Sequence, residues 1–191
     1  MKIIIIIGTA RIGRQSQKAG QYLQSEFEKS GVEAEIIDLA VSPLPIMEER
    51  ITRNPNVPPI AKEISEKLRR ADAIVLVSPE YHGSFSGVLK NALDYFGPEF
   101  AKKAIGVVTA SAGKMGGINA SVQLQHVILS MGAYPLPQKL IVPDIQSAFD
   151  EQLRPTSEIL SKQVAKFIEE FTWFAKTIWA GKQTKEKIEM V

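Results

Sequence analysis

The chain opens, after Met1 and Lys2, with five consecutive isoleucines at 3–7. A β-branched run without a polar interruption has no solvent-facing side, so it predicts a strand buried on both faces, as in a parallel sheet. Comparable short apolar runs occupy 34–39, 73–77, 104–109 and 140–142, giving five predicted strands. Between them, apolar residues recur at helical spacing over about 16–30, 59–70, 87–96 and 117–131. Strand and helix alternate throughout. With right-handed crossovers, such alternation builds a parallel sheet covered by helices on both faces, a three-layer α/β sandwich.

A last helix is predicted within 149–180, where Leu160, Val164, Phe167, Phe171, Phe174 and Ile178 fall at spacings of four and three and make one apolar face. That face is expected to pack on the sheet. Trp173 and Trp179 lie off the stripe and are candidates for a partner subunit. Pro43, Pro45, Pro55, Pro58 and Pro59 forbid a regular helix across 43–59, which reads as a loop over a site or an interface. The organisation is therefore one domain over 1–180 followed by a charged tail, 181–191, expected to be frayed or solvated.

Composition narrows the function. Of 191 residues, 45% are hydrophobic and 23% charged, within the range of ordinary globular domains. Lys and Arg number 23 against 21 Asp and Glu, so a net charge of +2 supplies no broad field for nucleic acid or an anionic membrane. Any phosphate binding must be local. The absence of cysteine removes disulfides, thiolate nucleophiles and cysteine-ligated metal clusters, so redox chemistry would need a borrowed cofactor. The isoleucine run is too short for a signal-peptide core or a membrane span, and the chain reads as cytoplasmic.

Gly8-Thr9-Ala10-Arg11-Ile12-Gly13-Arg14-Gln15-Ser16 follows the first strand and opens a helix. Free backbone N–H groups and the helix dipole favour an anion there. Thr9 and Ser16 offer hydroxyls, Arg11 and Arg14 offer charged donors, and Gly13 allows a tight turn. Gly8 and Gly13 have Walker A spacing, but Arg14 and Gln15 replace its Lys and Ser/Thr. The dinucleotide fingerprint fails too, because Ala10 stands at its second glycine and Asp38 lies about thirty residues on rather than about twenty. A terminal phosphomonoester such as that of FMN suits the loop; an exposed basic connection is the bland alternative.

Two further loops follow the third and fourth strands. Pro79-Glu80-Tyr81-His82-Gly83-Ser84 leads to Gly87-Val88-Leu89-Lys90-Asn91-Ala92-Leu93-Asp94, and Ser111-Ala112-Gly113-Lys114-Met115-Gly116-Gly117 comes later. With the first loop, these resemble the motifs of the NADPH-dependent FMN reductase family, which includes quinone, chromate and azo-dye reductases. The resemblance spans nearly the whole chain. It implies a flavodoxin-like fold with a five-stranded parallel sheet in the order 2-1-3-4-5. It further implies that Thr9, Arg11 and Ser16 hold the FMN phosphate, that Pro79, Glu80, Tyr81, His82, Gly83 and Ser84 line the isoalloxazine ring, and that Ser111, Gly113, Gly116 and Gly117 close its far side; Arg14, which is not uniform in the family pattern, is a phosphate candidate by its charge and place in the loop. His82 departs from the family pattern, which usually has Asn there.

From the resemblance, an NAD(P)H oxidoreductase is expected, passing hydride from NADPH or NADH to FMN and then to a small acceptor in ping-pong fashion, as a homodimer or homotetramer. No metal and no catalytic side chain is expected, since the cofactor carries the chemistry. A flavodoxin-like electron carrier is the alternative, although carriers steered to basic partners are acidic and this chain is not. A cofactor-free regulator that kept the fold is a third reading.

Overall fold

The computed structural model describes residues 1–189. In chain order the elements are β1 (Lys2–Ile7), α1 (Gln17–Lys29), β2 (Glu33–Asp38), α2 (Pro59–Arg70), β3 (Ala73–Tyr81), β4 (Ser84–Phe85), α3 (Gly87–Tyr95), α4 (Gly97–Phe100), β5 (Ala104–Ala110), α5 (Ile118–Ser130), β6 (Tyr134–Val142) and α6 (Glu158–Glu189). Five strands form a parallel sheet in the order β2-β1-β3-β5-β6. The expected count of five is corrected to six, because β4 pairs antiparallel with the end of β3. Two residues carry too little pattern to predict a strand.

The isoleucine strand explains the layering. All five residues are buried, with Ile3 and Ile5 in one core and Ile4 and Ile6 in the other. The first core takes Leu23 and Phe27 of α1 with Val164, Phe167 and Phe171 of α6. The second takes Ile64 and Leu68 of α2, Leu89 and Leu93 of α3, and Leu124 and Ile128 of α5. Each buried isoleucine contributes about 1.5–3 kcal/mol of transfer free energy, and the strand holds both layers at once.

The apolar stripe of α6 packs as expected, with Phe174 and Ile178 partly buried against the same core and Trp173 and Trp179 exposed. Phe167 and Phe171 stack with ring centroids 5.8 Å apart. Gly106 makes room for them, since a Cβ there would lie 2.8 Å from Phe167 Cζ. α6 runs on through Glu189, so the helix continues into the charged tail, where 181, 183 and 184 are exposed. Only 190–191 of that tail lie outside the described residues. Met47 and Asn91 tie the proline-rich loop to α3, the Met47 amide donating to Asn91 Oδ1 (2.9 Å) and Asn91 Nδ2 to the Pro45 carbonyl (2.8 Å). No helix among the described residues is long and apolar enough to cross a membrane.

At the amino-terminal edge of the sheet, buried Lys103 donates through Nζ to the Leu68 and Arg69 carbonyls, closing the C-terminus of α2. Burial, helped by the charge of Lys182, pushes its pKa from 10.5 to about 8. Above that value the folded state holds Lys103 neutral while the unfolded chain still binds the proton, so this group's contribution to stability rises with pH up to its ordinary pKa. Urea unfolding of wild type and Lys103→Met between about pH 7 and pH 10 is therefore expected to show wild type gaining on the variant as pH rises. A difference independent of pH would show that Lys103 keeps its ordinary pKa.

Candidate functional site

The carboxyl ends of all five parallel strands lie on one edge, and the first loop, the β3–β4 hairpin and the loop after β5 leave from it. Open α/β sheets bind ligands at that edge. A cavity of about 140 Å³ opens there, lined by Thr9, Arg11, Arg14, Gln15, Ser16, Pro79, Glu80, Tyr81, Ser111, Ala112, Ile145 and Gln146 among others. Eight of the sequence-derived site residues thus meet around one space. His82, Gly83, Ser84, Gly113, Gly116 and Gly117 do not line it.

The first loop suits an anion in detail. Ser16 is buried at the start of α1, yet its side chain makes no capping bond. Thr9 is 1% exposed, and its hydroxyl has only a long contact, 3.5 Å, with Tyr81 Oη. Among the described residues, the amides of Gln15, Ser16 and Gln17 donate to no backbone carbonyl. Buried hydroxyls and helix-terminal amides without strong partners match a phosphate's oxygens. Arg11 is exposed with its guanidinium 5.8 Å from the Tyr81 ring centre, within cation–π range.

Arg14 is placed differently. Its Nη1 donates to Asp38 Oδ1 (2.5 Å) and to the Thr9 carbonyl (2.8 Å), and its Nη2 donates to Asp38 Oδ2 (2.6 Å). The Asp38 carboxylate raises the Arg14 pKa further above its ordinary value. Asp38, at the end of β2, also accepts the Ala40 amide at 3.0 Å.

The hairpin turns at His82 and Gly83, between the Tyr81–Ser84 pair. Both have positive φ, 51° and 75°. Positive φ at both central residues is the mark of a type I′ turn, which prefers Asn-Gly. The Asn of the family pattern thereby gains a backbone reason, and His is among the residues that tolerate this region. Glu80 reaches α5, where Oε2 accepts the Ala120 amide (3.0 Å) and Oε1 accepts from Asn119 Nδ2 (3.2 Å). Gly117 cannot cap that helix with a side chain, and the Glu80 carboxylate supplies the negative charge its N-terminus favours. Ser84 Oγ donates to Gln123 Oε1 (2.7 Å), whose Nε2 donates to the Gly83 carbonyl (2.7 Å).

In the third loop, Ser111 Oγ donates to the Gly113 carbonyl at 3.0 Å. Gly116 and Gly117 are buried with positive φ, and a Cβ would lie 2.4 Å from Ile141 Cγ2 and 2.9 Å from Thr109 Cβ respectively. The close entry of α5 alone requires these glycines. Behind the site, Ser86 Oγ donates to the Gly8 carbonyl (2.5 Å) and accepts the Leu89 amide (3.1 Å), and the Ser86 amide donates to Ser78 Oγ (3.1 Å). Sequence reading passed over Ser78, Ser86 and Gln123, and weighed Asp38 only as a ribose-binding acid. A serine directly before the α3 run was a legible N-cap signal for Ser86; the others carry no local signal.

A parallel sheet with weakly partnered hydroxyls and helix-terminal amides at its carboxyl edge, beside two glycine-bearing loops, has the architecture of a flavodoxin-like mononucleotide-binding protein. The chain belongs to the NADPH-dependent FMN reductase family, whose model matches residues 1–147. It is an NAD(P)H-dependent FMN reductase, with FMN as cofactor and NADPH as electron donor. A Staphylococcus aureus protein described as an FMN-dependent NADPH-azoreductase is 35% identical over 158 residues, covering 79% of this chain and 81% of the relative. Among solved structures, the flavoenzyme NAD(P)H:(acceptor) oxidoreductase FerB from Paracoccus denitrificans matches with a TM-score of 0.77 at 22% identity, covering 92% of this chain and 97% of that one. The NADH:FMN oxidoreductase EMOB, in its apo form, matches with a TM-score of 0.72 at 19% identity, over 89% and 87% of the chains. At those identities the two structures speak for the fold.

The turn geometry makes a prediction of its own. Replacing His82 by Asn relieves the left-handed position and is expected to raise the melting temperature of the FMN-free protein by about 2 °C, as for about half a kcal/mol in a chain of this size. A lower melting temperature in a thermal scan would show that the imidazole makes a stabilising contact instead.

Proposed function

We propose that this protein oxidises NADPH and delivers the electrons to a small oxidised molecule, a quinone, free flavin, azo compound or metal oxyanion, in separate half-reactions at one site. The observation that carries this reading is the anion cradle: two buried, weakly partnered hydroxyls, Thr9 and Ser16, at a helix N-terminus beside Arg11. Bound FMN supplies the redox chemistry, accepting a hydride and returning two electrons. Thr9, Arg11, Ser16 and the adjacent amides hold its phosphate.

The 140 Å³ cavity suits a phosphate and part of the ribityl arm. The hairpin and the third loop would hold the isoalloxazine ring of FMN. Pro79, Tyr81, His82, Gly83 and Ser84 line one side, and Ser111, Gly113, Gly116 and Gly117 bound the other, either by contact or by fixing the loop backbones. Glu80 holds the two sides at a constant separation through the N-terminus of α5. No protein nucleophile or general acid is required, because the residues position the reactants and leave proton exchange to solvent. We place the enzyme in the cytoplasm as a homodimer or homotetramer. The exposed apolar residues Val88, Val122 and Leu129 on α3 and α5 provide surface for such contacts.

The deciding experiment is an anaerobic titration of the purified protein, reconstituted with FMN, by NADPH. The flavin band near about 450 nm is expected to bleach, and a stoichiometric quinone is expected to restore it with NADP⁺ already released. Bound FMN that NADPH leaves oxidised would point to an electron carrier, and failure to bind FMN would remove the site assignment.

A further inference from the structure

We propose that Arg14 and Asp38 together form a strut that sets the shape of the phosphate loop, and that Arg14 is a positioning residue rather than a phosphate ligand. The inference rests on the phosphate site proposed above and deepens it. Arg14 is drawn from the middle of the loop, thirteen residues beyond the start of the chain, while Asp38 stands at the carboxyl end of β2, in register with Ile7. The pair therefore bridges the loop to the sheet edge. Its two parallel bonds, 2.5 and 2.6 Å, form the planar fork geometry particular to arginine and a carboxylate. The third bond, from Nη1 to the Thr9 carbonyl, reaches the other limb of the same loop.

The three contacts fix the distance between Thr9, at the start of the loop, and Ser16, at the head of α1. Those are the two buried hydroxyls of the cradle. Both partners are mostly buried, with side-chain exposures of 19% and 16%, which screens the pair less than a surface ion pair. Asp38 is held in turn by the Ala40 amide, and its own carbonyl accepts the Val41 and Ser42 amides at 3.0 and 2.8 Å. The strut thus stands on a turn with its own hydrogen bonds. Since Asp38 neutralises Arg14, the charge left to attract a phosphate in this loop is that of Arg11, assisted by the α1 dipole.

The sign of one substitution separates a strut from a phosphate ligand. If Arg14 bound phosphate directly, removing the Asp38 charge would free the guanidinium and tighten FMN. If the pair is a strut, Asp38→Asn breaks the charged fork, the loop loses its fixed shape, and FMN binds more weakly. Fluorescence titration of the purified protein with FMN and with riboflavin, which lacks the phosphate, is expected to show FMN affinity falling about tenfold in Asp38→Asn, as for the loss of one charge-assisted hydrogen bond. Riboflavin affinity is expected to change by less than about twofold, because the ring loops are untouched. Arg14→Lys keeps the charge but not the fork, so the strut predicts a loss close to that in Arg14→Met, and a double Arg14→Met/Asp38→Asn variant little worse than either single one.

Tighter or unchanged FMN binding in Asp38→Asn, or near-wild-type binding in Arg14→Lys, overturns the strut while leaving the phosphate site standing. A wild-type protein that binds FMN no better than riboflavin removes the phosphate site itself, and the strut with it. Thermal unfolding of each FMN-free variant accompanies the titrations. Should Asp38→Asn fail to fold, the Arg14→Lys result decides alone.

Discussion

The candidate site depends on how the backbone leaves the sheet at Gly8. β1 is buried on both faces, so the chain cannot exit sideways and must turn at the carboxyl edge, where Gly8 is pinned from both neighbours. Its amide donates to the Val77 carbonyl of β3 (2.8 Å), and its carbonyl accepts from Ser86 at the head of α3. A Cβ at this position would stand 2.7 Å from Leu89 Cβ. The first and second loops therefore share one anchoring point. Ser86, which caps α3 with the same hydroxyl, couples the position of that helix to the start of the phosphate loop.

From that point outward, the loops are held by polar contacts that each consume a charge or a dipole. Arg14 is spent on Asp38, and Glu80 on the N-terminus of α5. Gln123 bridges α5 back to the hairpin through Gly83 and Ser84. The hairpin, the third loop and α5 so become one braced unit, although they are separate in sequence. Such bracing suits a cofactor whose planar ring needs two loops at a fixed spacing, because catalysis by a bound flavin relies on positioning.

The layered fold was legible because its signals are local and repeated. An unrelieved apolar strand, short apolar runs alternating with stretches of helical period, and a stripe from Leu160 to Ile178 each report burial directly. β4 escaped because two residues have no period, and the helical tail because charged residues near a terminus resemble a solvated end. At the site, residue types were legible but their partners were not. The Arg14 partner, Asp38, is brought alongside only by the β1–β2 pairing. Glu80 looks like a ring contact until α5 presents Ala120. Gly116 and Gly117 face Ile141 and Thr109 closely enough to exclude a Cβ, which the sequence does not show. In each case the deciding neighbour is supplied by tertiary packing, about which local spacing says nothing.

The electrostatic outcome bears on what the site can accept. Beside the candidate anion site, the charges of Arg14, Asp38 and Glu80 are each satisfied within the protein, so the first loop and the hairpin present mainly backbone dipoles, hydroxyls and the guanidinium of Arg11, while the third loop adds exposed Lys114. A phosphate can be held by such groups without a concentrated positive field, consistent with the near balance of 23 basic and 21 acidic residues. The hairpin turn at His82 and Gly83 and the glycine entry of α5 stand apart from the first loop, held by backbone conformation and close packing rather than by its charges.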